Sequence, residues 1–343
     1  EKLGVGGYGA VYRAESVEQP GTFCAIKVFL NPADVRAGRE AALLMDKAVH
    51  PNVVRCLGTG RWPHPARGHT FLVLELVPGL PLHLWVEEHN PDFARLAYVV
   101  AEAALALGTL HKRGVLHRDL KPENLFLLQR GHGPAFVKVL DFGIAKIQDA
   151  EGEGPALTRT GFVCGTPEYM SPEQARGATL DHRSDLYAVG VILYQLLTGR
   201  LPFESDSAVG YATKHLTEEP LPPSRKRSDI RVSPAMERLI MRALSKSPDD
   251  RPQDAEAFKA ELMAVEKERE RRANAAPPVR RTGPAPGVLA PLPRRATPPP
   301  SGMSTDITDP GWGGESDATV RAMPERMQPP SERMQPGAAL ARA

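Results

Sequence analysis

His117-Arg118-Asp119-Leu120-Lys121-Pro122-Glu123-Asn124 is the stretch on which the reading of this chain turns. It gathers a carboxylate (Asp119), an ammonium (Lys121) and a carboxamide (Asn124) into one short loop, and Asp141-Phe142-Gly143 follows after a hairpin-like stretch. Asp141 and Asn124 are hard oxygen donors of the kind Mg²⁺ prefers, and Mg²⁺ is usually held by one or two carboxylates together with substrate phosphates. A carboxylate beside such a pair can accept the proton of an attacking hydroxyl. Capping a helix is the commoner use of an aspartate, but that use does not call for Asn124 and Asp141 as companions.

Toward the N-terminus, Gly4-Val5-Gly6-Gly7-Tyr8-Gly9-Ala10-Val11 fits the pattern GxGxxGxV. Glycines let a backbone approach phosphates that side chains would keep away. A dinucleotide-binding fingerprint has the same core but opens a helix, with an acid about 20 residues later. Here β-type alternation follows instead. Ala10–Ala14 and Phe23–Phe29 read as strands separated by the turn formers Gln19-Pro20-Gly21. The second run holds Cys24-Ala25-Ile26-Lys27, and Lys27 supplies a positive charge for phosphates. Residues 34–48 have helical spacing, with Val35, Leu43, Leu44 and Ala48 on or near one face. Phe71–Val77 is a short apolar strand ended by Pro78-Gly79, and the pattern beyond it is mostly helical: Phe93–Arg113, Ser184–Leu197, Ser207–Leu216, Ala235–Ser245 and Asp254–Lys267.

Composition narrows the function classes. The 43 Lys and Arg nearly balance the 41 Asp and Glu, so no global field points to nucleic acid or an acidic membrane. The pairs Arg280-Arg281 and Arg294-Arg295 lack the interleaved aromatics of a nucleic-acid site. Cys24, Cys56 and Cys164 form no CxxC pair, and none of the 10 His has metal-ligand spacing. The longest apolar run, Leu186–Leu197, reads as a buried core helix rather than a membrane span. The chain opens at Glu1 close upon the glycine motif and reads as a piece of a longer protein.

Taken together in order, the glycine-rich motif, the Ala25-Ile26-Lys27 strand, the His117–Asn124 loop and Asp141-Phe142-Gly143 resemble the eukaryotic-like (Hanks-type) protein kinase family over about residues 1–265. The resemblance implies an α+β, bilobal fold. A small β-rich N-lobe would span about 1–77 and a larger helical C-lobe about 78–267, with a Pro/Arg-rich disordered tail over 268–343. The implied reaction is transfer of the γ-phosphate of Mg·ATP to protein hydroxyls. Asp119 would be the base, Lys121 would contact the transferred phosphate, and Lys27 would hold the nucleotide phosphates. Asn124 and Asp141 would hold Mg²⁺. The remaining ATP-binding positions implied are Leu3, Gly4, Val5, Gly6, Gly7, Tyr8, Gly9, Val11, Ala25, Leu74 as gatekeeper, and Glu75 and Val77 at the adenine edge. Glu40 is the candidate acidic partner of Lys27, although its distance to His50 is one residue longer than is usual in the family.

Lys121, two residues after the implied base, resembles the lysine of Ser/Thr kinases, so the expected partners are proteins with Ser/Thr acceptors. A kinase-domain homodimer is a further partner that the resemblance allows. Gly165-Thr166-Pro167-Glu168-Tyr169-Met170-Ser171-Pro172-Glu173 resembles the end of an activation segment, with Thr166 positioning the substrate. Glu173 would pair with Arg251, and Asp185 would anchor the catalytic loop. Thr158 and Thr160 sit where related bacterial kinases autophosphorylate, with Arg118 to receive the phosphate. The Ser171–Gly177 run looks bacterial, and Gly60-Arg61-Trp62-Pro63 reads as an insert. A cytoplasmic setting is expected, with room for a membrane anchor beyond Ala343. The rival reading is a pseudokinase-like scaffold that binds ATP and acts through its partners.

Overall fold

Strand β1 (Lys2–Val5) pairs antiparallel with β2 (Gly9–Glu15), and β2 with β3 (Phe23–Phe29) in the computed structural model. The structure describes residues 1–5, 9–31, 38, 42, 44–64, 68–128, 135–141 and 166–275. The chain divides into a unit at Glu1–Arg294 and a second at Arg295–Ala343, and every described residue belongs to the first. Of the tail expected to be disordered, residues 268–275 are instead part of the last helix, and 276–343 lie outside the described residues.

The turn between β2 and β3 closes where Gln19-Pro20-Gly21 predicts it. Gly21 adopts φ +86, and its N–H donates to Glu15 Oε1 at 2.6 Å. The Arg13 guanidinium lies 3.6 Å from the Phe23 ring centroid, a diagonal pair across the two strands. Strand β5 (His69–Glu75) pairs with β3 and with β4 (Cys56–Trp62), which gives an antiparallel sheet in the order β1-β2-β3-β5-β4. The supposed insert at Gly60–Pro63 is thus mostly the end of an edge strand. Gly58 and Gly60 hide it from a search for alternation. A Cβ on Gly60 would stand 2.6 Å from the Phe71 ring, so this position is glycine to let the Phe71 ring lie against the strand.

Helical residues at 38, 42 and 44–46 precede β4, and from this stretch Leu44 and Ala48 enter the core. That core joins Ala25, Phe29, Val53, Leu72 and Leu74 to Leu110 and Val115 of the following lobe.

After β6 (Leu80–Pro81) the chain turns helical. Helix α1 (Leu82–His89) was not foreseen. Helix α2 (Phe93–His111) is capped by Asp92, whose side chain accepts from Arg95 N at 2.9 Å. This helix, rather than Leu186–Leu197, is the described one long and apolar enough by length and composition to cross a membrane. Its mean hydropathy is 1.5, and 61% of that window is buried inside the domain. Strands β7 (Leu125–Leu128) and β8 (Phe136–Val139) complete a second small sheet with β6. Helices α3 (Pro172–Arg176), α4 (Arg183–Thr198), α5 (Ala208–Thr217), α6 (Pro223–Lys226), α7 (Pro234–Ala243) and α8 (Ala255–Ala275) follow.

Every residue of α4 from Ser184 to Thr198 is buried, as expected of a helix apolar on all sides. In α7 the buried residues are Met236, Leu239, Ile240 and Ala243, one stripe at helical spacing. Helix α8 continues past Lys267, where the helical pattern was expected to end, to Ala275. It lies along α2, with Lys259 Nζ 3.0 Å from Glu102 Oε1.

Arg251 clamps the far side of this lobe. Its Nη1 and Nη2 reach Glu173 Oε1 and Oε2 at 2.7 and 2.8 Å, and neither side chain is more than 9% exposed. Burial pushes the Glu173 carboxyl upward, but hydrogen bonds and charge from Arg251, with the Ser184 hydroxyl, hold it below its ordinary value. Arg251→Met would leave that carboxylate buried without its cation, at a cost of about 3–5 kcal/mol in chemical denaturation at neutral pH. The depressed folded-state pKa means that the pair stabilises above the unfolded Glu pKa, about 4.3, and is lost as pH falls through the folded value. The gap between variant and wild type should therefore narrow in acid.

Candidate active site

The catalytic loop hangs from one carboxylate. Asp185, in the first turn of α4 and 2% exposed, accepts from His117 N at 2.8 Å, Arg118 N at 2.9 Å and the His111 ring at 2.8 Å. Burial would raise its pKa, yet the hydrogen bond and charge of His111, with His117, lower it. These bonds hold Arg118 at φ +65, a backbone region that a side chain other than glycine resists. The His117 ring in turn meets the Leu140 carbonyl at 2.9 Å, which links the loop to the residue before Asp141.

Pro122–Asn124 form a short 3-10 turn, and Asn124 is buried beneath the loop. Its amide Nδ2 donates to the Asp119 carbonyl at 2.8 Å and lies 3.5 Å from the Asp141 carbonyl. With the nitrogen so engaged, Oδ1 is the atom that remains as an acceptor. Lys121 Nζ donates to Thr166 Oγ1 at 3.1 Å and lies 3.9 Å from Asp119 Oδ2. A carboxylate, a cation and the last segment before α3 thus converge on one spot.

Lys27 Nζ reaches across from β3 to Asp141 Oδ1 at 3.0 Å. The Lys27 charge is the main reason that the Asp141 carboxyl is held below its ordinary value. Asp141 has φ +51, a conformation that Asp tolerates better than most residues. Strand register sets the roof above it: Lys27 stands opposite Val11 and Leu72, and Ala25 opposite Leu74. Leu74 is 8% exposed, as a residue at the back of a cleft should be. Leu3 and Val5 are 49% and 59% exposed, and Gly4 is exposed as well. Gly9 is under a steric constraint of its own, since a Cβ there would meet the Val28 carbonyl at 2.6 Å.

At the hinge, Glu75 N donates to Arg55 O at 2.9 Å, and the Val77 carbonyl accepts from Gly79 N at 2.9 Å. The Glu75 side chain accepts from Arg55 N at 2.8 Å and pairs with Lys138. Lys138 is 7% exposed and also donates to Val53 O at 3.2 Å. Neither Lys138 nor His111 was anticipated. A lysine within an apolar strand is the only trace the first leaves, and a histidine ending a helix the only trace of the second. His215, pushed down to about 4 by burial, is neutral. The Tyr187 hydroxyl lies 2.7 Å from its Nδ1, and its Nε2 lies 3.1 Å from Glu168 O, which steadies the Pro167–Tyr169 turn.

Gly6, Gly7, Tyr8, Glu40, Phe142, Gly143, Thr158, Thr160 and Gly165 lie outside the described residues.

The protein kinase domain family matches residues 1–263. The chain belongs to the protein kinase family. It is 54% identical over 335 residues to the serine/threonine-protein kinase pkn3 of Myxococcus xanthus, covering 95% of this chain and 60% of that protein. It is 40% identical over 269 residues to Pkn1 of the same organism, covering 77% of this chain and 37% of that protein. It is 41% identical over 217 residues to PknB of Mycolicibacterium smegmatis, covering 63% of this chain and 33% of that protein. The kinase domain is therefore of the bacterial Hanks serine/threonine type, within a chain that spans at most 60% of the length of these relatives. In fold it resembles a crystal structure of Rad53 1–466 in complex with AMP-PNP. The TM-score is 0.60 at 24% identity, covering 76% of this chain and 62% of that one.

Within this kinase domain Asp185 can be tested apart from the chemistry. Asp185→Asn exchanges one acceptor oxygen for a donor, so at least one of the His117 N, Arg118 N and His111 bonds is lost in the interior. Urea denaturation should show a loss of about 1–3 kcal/mol, the cost of one buried group left unsatisfied. Phosphoryl transfer should fall with it, because Arg118 loses its restraint.

Proposed function

We propose that this domain transfers the γ-phosphate of Mg·ATP to serine and threonine hydroxyls of proteins, with Asp119 as the base. The observation that carries the reading is the convergence of Asp119, Lys121 and Thr166, with Lys121 Nζ 3.9 Å from the Asp119 carboxylate and 3.1 Å from Thr166. An acceptor hydroxyl placed beside Asp119 would give up its proton as it attacks, and Lys121 would offset charge on the transferred group. Lys27 would hold the nucleotide phosphates.

The donor set suits Mg²⁺. Asn124 offers an amide oxygen, Asp141 a carboxylate kept ionised by Lys27, and nucleotide phosphates complete the shell that this ion favours. When bound, the ion supplies positive charge against the phosphates. A scaffold that only binds ATP is the weaker reading, because Lys27, Asp119, Asn124 and Asp141 are all present. Mg·ATP as donor goes with a cytoplasmic setting. The domain is read as ending with α8, ahead of the Pro/Arg-rich tail. Phosphate on Thr158 or Thr160 would switch the activity through Arg118. Transfer between two copies of the chain would bring in the kinase-domain homodimer.

Asp119→Asn should abolish autophosphorylation with radiolabelled ATP while nucleotide affinity by calorimetry stays within about two-fold, since the base acts on the hydroxyl. Asp141→Asn should instead weaken Mg·ATP binding. Near-wild-type turnover in Asp119→Asn would remove its assignment as base.

Replacing Thr158 and Thr160 together by Ala should slow phosphorylation of an added protein by about ten-fold or more, with ATP affinity little changed. A phosphate brings about −1.5 to −2 charges and three acceptor oxygens to Arg118. Full activity in the double variant, with no phosphate found by mass spectrometry, would leave a constitutively active enzyme.

A further inference from the structure

Gln174 lies in α3, the helix that follows the turn at Pro167–Tyr169. Its side-chain amide is used at both ends. Oε1 accepts from Ser171 N at 2.9 Å, one half of a capping box in which Ser171 Oγ accepts from Gln174 N at 3.3 Å. Nε2 donates to the Arg118 carbonyl at 2.8 Å, in a loop 56 residues away in sequence. A backbone N–H can only donate and a carbonyl can only accept, so a single orientation of the amide satisfies both partners.

The Arg118 carbonyl shares a rigid peptide plane with Asp119 N. On the far edge of that plane, Asp119 N meets His117 Nδ1 at 3.3 Å. Asp185 Oδ1 holds Arg118 N at 2.9 Å. Both ends of Arg118, in its unfavourable φ of +65, are therefore fixed by side chains from two separate helices. Loss of the Gln174 end would let the plane rotate and carry the Asp119 Cα with it.

We propose that Gln174 is a positioning residue for phosphoryl transfer, its amide tying the substrate-side helix to the Arg118–Asp119 peptide and so setting where Asp119 meets the acceptor hydroxyl. This rests on the kinase reading given above and adds the register between acceptor platform and base. Glutamate is the informative replacement. It caps a helix as glutamine does, since a carboxylate still accepts from Ser171 N, but it has no N–H for Arg118 O. Ser171→Ala does the reverse, weakening the cap while the link to Arg118 stays.

The test uses the full 343-residue chain with dephosphorylated casein and Mg·ATP, measuring kcat, the KM for ATP and the melting midpoint. Gln174→Glu should lower kcat by about ten-fold, with the KM for ATP within about two-fold of wild type. Ser171→Ala should lower the melting midpoint and keep kcat near wild type. A wild-type kcat in Gln174→Glu would overturn the proposal, and so would an equal loss of kcat in Ser171→Ala, because the cap alone would then account for it. If the glutamate variant does not fold, Gln174→Met is read in its place against the same two results. A wild-type chain that phosphorylates casein beside an equally fast Gln174→Glu removes this proposal and leaves the kinase reading. A wild-type chain that transfers nothing overturns both.

Discussion

A single carboxylate at the start of a buried helix carries the catalytic loop. Asp185 takes two backbone N–H groups and a histidine ring into one pocket that is nearly closed to solvent. A charge in such a place is costly unless its oxygens are satisfied, and here three donors satisfy them. The arrangement therefore has few alternatives: loop and helix start must meet in this register or leave a charge without partners. Since the rest of α4 is buried on all sides, the position of Asp185 is set by the packing of the whole helical lobe.

The same reasoning extends across the cleft. Asn52 O accepts from Val139 N at 2.7 Å, Val54 N donates to Val139 O at 3.0 Å, and Asn52 Nδ2 donates to Val137 O at 2.8 Å. Arg113 Nη1 caps the carbonyls of Lys47 and Val49 at 3.0 and 2.9 Å. Residues 47–54 are thus stitched to the turn that follows α2 and to the strand that runs into Asp141, and they share an apolar cluster with Leu110 and Val115. The Lys138–Glu75 pair adds the hinge to this set. These contacts join the sheet that carries Lys27 to the strand that delivers Asp141, and the two side chains meet at 3.0 Å.

Much of the fold was legible because its local signals agreed with its tertiary needs. Alternation marked β2 and β3, helical patterning marked α2, α5 and α7, and chemistry-bearing residues at fixed offsets marked the catalytic loop. The exceptions have physical causes. Strand β4 was missed because Gly58 and Gly60 interrupt its pattern, and one of them makes room for the Phe71 ring. Helix α8 was ended at Lys267, yet it runs on to Ala275, with the buried Glu266 paired to Arg269 across that boundary.

By itself the sequence determined which carboxylates, amide and cations stand in the motifs, and that these belong to a kinase domain. Those residues announce themselves because phosphoryl transfer demands particular side chains at particular spacings along a loop. Only the tertiary structure decided what holds them in place. His111, Lys138 and Gln174 act through partners 74, 63 and 56 residues away, and nothing in their own neighbourhoods distinguishes them from ordinary helix and strand residues. A hydrogen bond between distant elements leaves no local pattern, because its geometry exists only once the core between those elements has packed.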